Sequence, residues 1–301
     1  MVTSDRLPAR SFALLAIICF AWSLNVIVSK IVVDQLQVPP LFYAAARSLL
    51  VLAVLLPFLR PVPEKWGQAL LFGLAISGGS FALLFVGLRE ASPSSAAIVS
   101  LSGAPLTVLF AIALLGEKVG WRRAMGILLT FIGVVVAVAS PSAWQSSTGL
   151  LFIGASAIVG ALGTVLIKRL EISALGLQAW AALASVLVLV PLSAALETDP
   201  LPAVAAAPLA FFACLLFSAL VVSVGAHTLY FRLLQRHDAN LIAPLTLMTP
   251  LWTIALGAAI TGDTIGPALL TGGALAIAGV LVILLRPSRT FAKAMLVRTR
   301  L

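Results

Sequence analysis

The stretch from Ala91 to Glu117, ASPSSAAIVSLSGAPLTVLFAIALLGE, returns in altered form from Leu241 to Asp263 as LIAPLTLMTPLWTIALGAAITGD. Each is a long apolar run with an internal proline, Pro105 or Pro250, and a glycine–acid pair at its end, Gly116-Glu117 or Gly262-Asp263. A shift of 145 residues lays Pro105 on Pro250, and one of 146 lays Gly116, Glu117, Gly126 and Gly133 on Gly262, Asp263, Gly272 and Gly279. At 138, Lys30 meets Lys168, so the offset drifts only as loops differ in length. Self-similarity of this kind marks a duplicated unit. The chain divides into repeats 8–140 and 147–286, followed by a basic tail, 287–301.

Runs of the same character fill the rest of the chain, at 11–33, 40–59, 66–88, 94–115, 121–139, 149–167, 174–196, 208–233, 239–260 and 267–285. A helix needs about 20 apolar residues to cross the roughly 30 Å hydrocarbon layer. The composition agrees: 61% of the 301 residues are hydrophobic and 10% charged, against about a quarter charged in a soluble domain. Membrane barrels show short alternating segments, and only helices or closed barrels satisfy backbone polar groups in lipid. The expected fold is an all-α membrane protein with ten transmembrane helices. The first run is too long for a signal peptide and lacks a small-residue cleavage site, so it is expected to remain as the first helix.

Five helices per repeat is an odd number, so the second copy enters the membrane upside down. With the amino terminus inside, sixteen of the nineteen basic residues fall on the inner side: Arg6, Arg10, Arg60, Lys65, Lys118, Arg122, Arg123, Lys168, Arg169, Arg232, Arg236, Arg286, Arg289, Lys293, Arg298 and Arg300. Only Lys30 and Arg89 fall outside, and Arg47 lies within the second run. The positive-inside bias therefore places both termini in the cytoplasm. The formal charge of +9 resides in short loops and offers no basic face for nucleic acid. Inverted repeats are the architecture of secondary transporters that expose a central site to alternate sides.

The doubled five-helix unit, with the segment from Ala91 through Pro105 to Gly116-Glu117 and its weaker echo from Leu241 through Pro250 to Gly262-Asp263, resembles the drug/metabolite transporter superfamily. The resemblance is to its EamA-type ten-helix branch, and within it to bacterial amino-acid exporters, and it covers nearly the whole chain. It implies a basket in which helices 3, 4, 8 and 9 line a central cavity, helices 1, 2, 6 and 7 brace it, and helices 5 and 10 are peripheral. It also implies multi-pass residence in the bacterial inner membrane, small-molecule amino-acid substrates and no cofactor. One chain holding both halves is expected to act as a monomer.

A polar group in hydrocarbon is costly, about 2.5–3.5 kcal/mol for arginine on insertion scales, so each one requires a reason. Arg47 reads either as an anchor reaching the interface or Asp34, or as a bidentate contact for a substrate carboxylate. Trp22, Asn25 and Ser29 share one face of the first run, as a packing contact or as a cavity wall. Ser77, Ser80 and Phe81 in the third run and Ser100 and Ser102 in the fourth offer hydrogen-bonding groups among apolar ones, as a zwitterion site requires, though small residues also serve helix packing. His227 and Tyr230 share a face of the eighth run, and a lone histidine there is either a satisfied core residue or a proton carrier. Thr249 and Trp252 flank Pro250. Pro105 and Pro250, at matching mid-helix positions, are expected to be hinges rather than ligand contacts. A substrate ammonium would be met by Asn25, serine hydroxyls, carbonyls freed near the prolines, or the rings of Trp22, Tyr43 or Trp252.

No metal site is expected, because His237 lies ten residues from His227 and nothing else converges there. Cys19 and Cys214 read as small core residues. A membrane enzyme would need an acid/base cluster at the interface, and none is apparent. All ten acidic residues fall in loops or at run ends, so the interior holds no carboxylate to exchange protons. The expectation is alternating-access export of amino acids, facilitated and of broad specificity. The alternative is export of another metabolite or drug, with proton coupling. The tail is expected to be disordered, with a short amphipathic helix on the anionic inner surface as the other reading.

Overall fold

In lipid every backbone N–H and C=O must find its partner inside the segment, and the apolar runs do so as helices. A computed structural model of the chain describes residues 8–116, 120–139, 147–167, 170–236 and 243–284, and every regular element among them is helical. The helices are α1 (Ala9–Gln35), α2 (Pro40–Leu59), α3 (Trp66–Leu88), α4 (Pro93–Leu115), α5 (Trp121–Val138), α6 (Ser147–Ile167) and α7 (Ala174–Leu196). Then α8 runs through Pro208–Leu216, Phe217–Ala226 and His227–Arg236, followed by α9 (Leu245–Thr261) and α10 (Pro267–Leu284). A short helix, Leu201–Ala206, precedes α8. Glu117, His237 and the tail 287–301 lie outside the described residues.

Among the described residues, eight of α1–α10 are long and apolar enough to cross a membrane. The other two are shorter: α5 carries Arg122 and Arg123 in its first turn, which leaves Ala124–Val138 as its apolar part, and the apolar part of α9 is Leu245–Thr261. Proline opens α2, α4, α8 and α10, where its missing donor is not needed. Left-handed Gly116 (φ 67°) and Gly262 (φ 70°) end α4 and α9 at matching positions, a conformation that glycine adopts without steric penalty.

The burial pattern is that of a lipid-solvated bundle. Large apolar side chains face outward, Leu209 at 85% exposure and Leu151 at 74%, while alanine, glycine and serine fill many of the helix contacts. Small residues let helix backbones approach where no hydrophobic effect drives association. Contacts between the halves come in exchangeable pairs: α1 packs on α8 and α9 as α6 packs on α3 and α4, and α2 meets α8 as α7 meets α3. The α2–α7 and α5–α10 contacts exchange with themselves. In the α5–α10 seam a Cβ added to Gly126 would stand 2.8 Å from Gly279 O, and one on Gly133 would stand 2.6 Å from Gly272 O. The two helices thus run antiparallel with their backbones nested.

Pro105 and Pro250 sit in the first turn of a helical segment, where interruption is cheap, rather than in the middle of a regular helix, which corrects the mid-helix reading. In α4 the N–H groups of Leu101, Ser102 and Ala104 bond three residues back, and a fresh helical segment starts at Gly103, making Pro105 its third residue. In α9 a 3-10 turn, Ala243–Leu247, leads into Met248–Leu256, with Pro250 again third. The opening N–H groups of a helix have no intrahelical partner, so a proline in the first turn removes little. A second matched irregularity is π-winding, at Ala75–Gly79 of α3 and Phe217–Ala226 of α8.

At the end of the bundle holding the α1–α2, α3–α4 and α9–α10 links, three carboxylates cap helix starts belonging to the opposite half. Glu197, after α7, accepts the Leu41 and Phe42 N–H groups of α2 at 2.7 and 2.8 Å. Asp263 accepts Ser94 N–H of α4 at 2.8 Å, and Glu90 accepts Gly149 N–H of α6 at 3.1 Å. A negative charge at a helix amino terminus satisfies orphan donors and complements the helix dipole. At this end Lys30 also pairs with Asp34 at 3.1 Å, so Asp34 is not the partner of Arg47.

Candidate functional site

A cavity of about 90 Å³ lies inside the bundle, walled by two helices from each half: α2 and α3, α7 and α8. Its polar lining is Arg47 and Ser48 from α2, Ser77 from α3, Gln178 from α7, and Ser223 and His227 from α8. Helix packing explains why these groups converge. Gly78 of α3 leaves no room for a Cβ against Ser185 of α7, and a Cβ on Gly73 would stand 2.8 Å from Ala181 Cα, so α3 and α7 meet backbone to backbone beside the cavity.

The π-wound segments of α3 and α8 both face this space. Widening a helix by one residue per turn misaligns some carbonyls and leaves them available to side chains. Those of α8 are used accordingly: Ser218 O accepts Ser223 Oγ (2.8 Å), Ser223 O accepts Gln178 Nε2 (3.1 Å), and Val222 O lies 2.9 Å from His227 Nδ1. Because a carbonyl only accepts, that histidine nitrogen carries the hydrogen.

Arg47 is 5% exposed. Its Nε donates to Ser223 Oγ at 2.9 Å, and its guanidinium carbon lies 3.8 Å from the centroid of the Phe81 ring. Nη1 is buried without a partner. Among the described residues no carboxylate lies within ion-pair distance of this cation. The cavity thus presents a positive, forked donor with an unused arm.

The sequence-derived candidates divide into groups. Arg47, Ser77, Phe81 and His227 meet at the cavity. Trp22 and Tyr230 stand one layer back, Trp22 5.4 Å from His227 and 5.1 Å from Tyr230 between ring centroids. Tyr43 supports the wall, its hydroxyl 2.6 Å from Ser218 Oγ and its ring against Phe85. Ser80 bonds to Ser77 O, Ser102 to Val99 O, and Asn25 is buried in α1. Ser100 and Thr249 line a separate cavity of about 200 Å³ with Pro250. Trp252 is exposed and meets Phe20 edge to face, away from Arg47. The Arg47 cavity is walled by α2, α3, α7 and α8, while α4 and α9 line the second cavity with α1 and α3. Gln178 and Ser223 were missed; an amide inside an apolar run was the available signal for Gln178.

The sequence profile described as the EamA-like transporter family matches the chain twice, over residues 10–139 and 147–285. Two curated relatives, each named "Probable amino-acid metabolite efflux pump", are similar over most of their length. The one from Salmonella typhimurium (strain LT2) is 28% identical over 283 residues, covering 90% of this chain and 92% of that protein. The one from Escherichia coli (strain K12) is 24% identical over 280 residues, with the same coverages. A solved crystal structure superposes with a TM-score of 0.61 at 19% identity, over 97% of this chain and 99% of that one, and so shares the fold.

Proposed function

Because the chain belongs to the EamA-like transporter family, and is accordingly a multi-pass membrane transporter and not an enzyme, we propose that it exports amino acids across the bacterial inner membrane by alternating access. The observation that carries this reading is Arg47: a buried guanidinium with an unpartnered arm, in a cavity shared by both halves. A substrate carboxylate supplies the missing charge and acceptors. The names of the two relatives support the amino-acid class.

The topology proposed is ten crossings in two oppositely inserted five-helix units, 8–140 and 147–286, with both termini cytoplasmic. The antiparallel α5–α10 seam and the exchangeable helix contacts support it. On this topology the three carboxylate caps lie on the outer face and hold the halves together there. At the inner end a cavity of about 350 Å³ opens between Pro63–Ala69 and Leu170–Ile172. We therefore read this conformer as closed outward. Each cap contributes about 0.5–2 kcal/mol, so three together match the few kcal/mol that separate exchanging conformers. The matched interruptions before Pro105 and Pro250 are the proposed bending points.

No described carboxylate lines the Arg47 cavity, and we propose facilitated transport without obligatory proton exchange. The test is counterflow into proteoliposomes of purified protein, scanned over the twenty amino acids, nucleobases and cationic dyes, with and without a pH gradient. Amino-acid flux in the absence of a gradient is expected. Flux confined to nucleobases or dyes refutes the substrate class, and flux that requires an imposed gradient refutes the facilitated mechanism.

A further inference from the structure

We propose that Gln178 is the ammonium acceptor of the same site, so that the Arg47–Gln178 pair selects zwitterions. This rests on the carboxylate role of Arg47 proposed above and adds the second half of the substrate.

One residue, Ser223 of the π-wound part of α8, holds both side chains. Its hydroxyl accepts Arg47 Nε at 2.9 Å, and its carbonyl accepts Gln178 Nε2 at 3.1 Å. The second contact settles which way the amide faces. A carbonyl cannot donate, so the atom beside Ser223 O must be the amide nitrogen, and Oε1 is left as the free end. Oε1 is buried and has no partner, as is Arg47 Nη1. Both residues line the cavity, so its wall holds one unused cationic donor and one unused neutral acceptor, tethered to the two ends of a single residue.

A buried polar atom left unpaired is costly, and these two have complementary demands. An α-amino acid answers both, its carboxylate on Nη1 and its ammonium on Oε1, one carbon apart. A carboxylate without the amine leaves Oε1 unpaired, and an amine without the carboxylate meets an uncompensated guanidinium. An amide acceptor suits this task better than a carboxylate: a carboxylate beside Arg47 would pair with it and remove the substrate's site. Sites built to hydrogen-bond a substrate N–H discriminate strongly against analogues that lack it.

The test measures binding by isothermal titration to purified protein in detergent, with L-alanine, propionate and ethylamine as probes and L-phenylalanine as a larger amino acid. Wild-type protein is expected to bind L-alanine at least about tenfold more tightly than propionate or ethylamine. Gln178→Met keeps length and volume but removes the acceptor, and is expected to weaken L-alanine about tenfold while changing propionate little. Gln178→Glu is expected to lose L-alanine and to gain ethylamine, an increase that general loss of folding cannot produce. If Gln178→Met and wild type bind L-alanine equally while Arg47→Met does not bind it, the Gln178 assignment falls and the exporter reading stands. If wild type binds neither L-alanine nor L-phenylalanine, both fall.

Discussion

Replacing Arg47 by methionine separates its part in the fold from its part in transport. Inserting an arginine at mid-bilayer costs about 2.5–3.5 kcal/mol. Against this stand one charge-assisted bond to Ser223 Oγ, about 1.5–3 kcal/mol, and the Phe81 face, about 0.5–2 kcal/mol. The terms nearly cancel, and methionine keeps the apolar stem while dropping all three. Arg47→Met is therefore expected to change unfolding free energy by no more than about 2.5 kcal/mol, as when buried charges elsewhere are exchanged for apolar side chains. Transport is expected to fall at least about 100-fold, since a desolvated carboxylate left without its partner loses about 3–5 kcal/mol. Thermal unfolding in micelles and counterflow in proteoliposomes measure the two quantities on one preparation. Normal flux in folded Arg47→Met protein removes this side chain from the substrate path. A stability loss above about 4 kcal/mol would instead make it a structural anchor. Arg47→Lys keeps the charge without the planar fork and is expected to fall between.

Gly133→Ala places a methyl group against Gly272 O and Ala276 N of α10, and a loss of about 1–3 kcal/mol is expected in thermal unfolding. Gly154→Ala in α6, where nothing lies within 4 Å, is expected instead to gain about 0.5–1 kcal/mol in the same assay. Glu197→Gln turns a charged acceptor into an amide whose N–H₂ confronts backbone N–H groups, weakening the outer clamp by about 1.5 kcal/mol. In a background with Cys19 and Cys214 changed to alanine, labelling of Ser48→Cys by an impermeant maleimide from outside should then quicken about tenfold, and an unchanged rate would deny Glu197 a gating role. Reporter fusions at residues 1 and 301 are both expected to read as cytoplasmic, and opposite readings would overturn the inverted topology.

Hydropathy located the helices closely: the runs at 40–59, 66–88 and 174–196 are the described extents of α2, α3 and α7. It is silent about hydrogen-bond register, so the π-winding of α3 and α8 and the break before Gly103 had no signature in it. Arg47, Ser77, Phe81 and His227 stood out because polar groups and clustered rings in apolar runs call for an explanation, and they do meet. Which helices would face them was another matter. Periodicity tells which residues share a face and leaves open the neighbour that face meets, so Ser100 and Trp252 settle elsewhere while Ser223 and Gln178 complete the cavity.

The glycine rows of α5 and α10 restrict how the two halves can move. Gly126 meets Gly279 as Gly133 meets Gly272, main chain against main chain, with no side-chain slack to absorb sliding along the seam. Lengthwise slip would drive Cβ atoms into peptide groups, whereas slight rolling about the line of contact keeps the nesting. The seam is thus an axle. In the alternating-access cycle proposed above, roll rather than slip is the motion this seam permits.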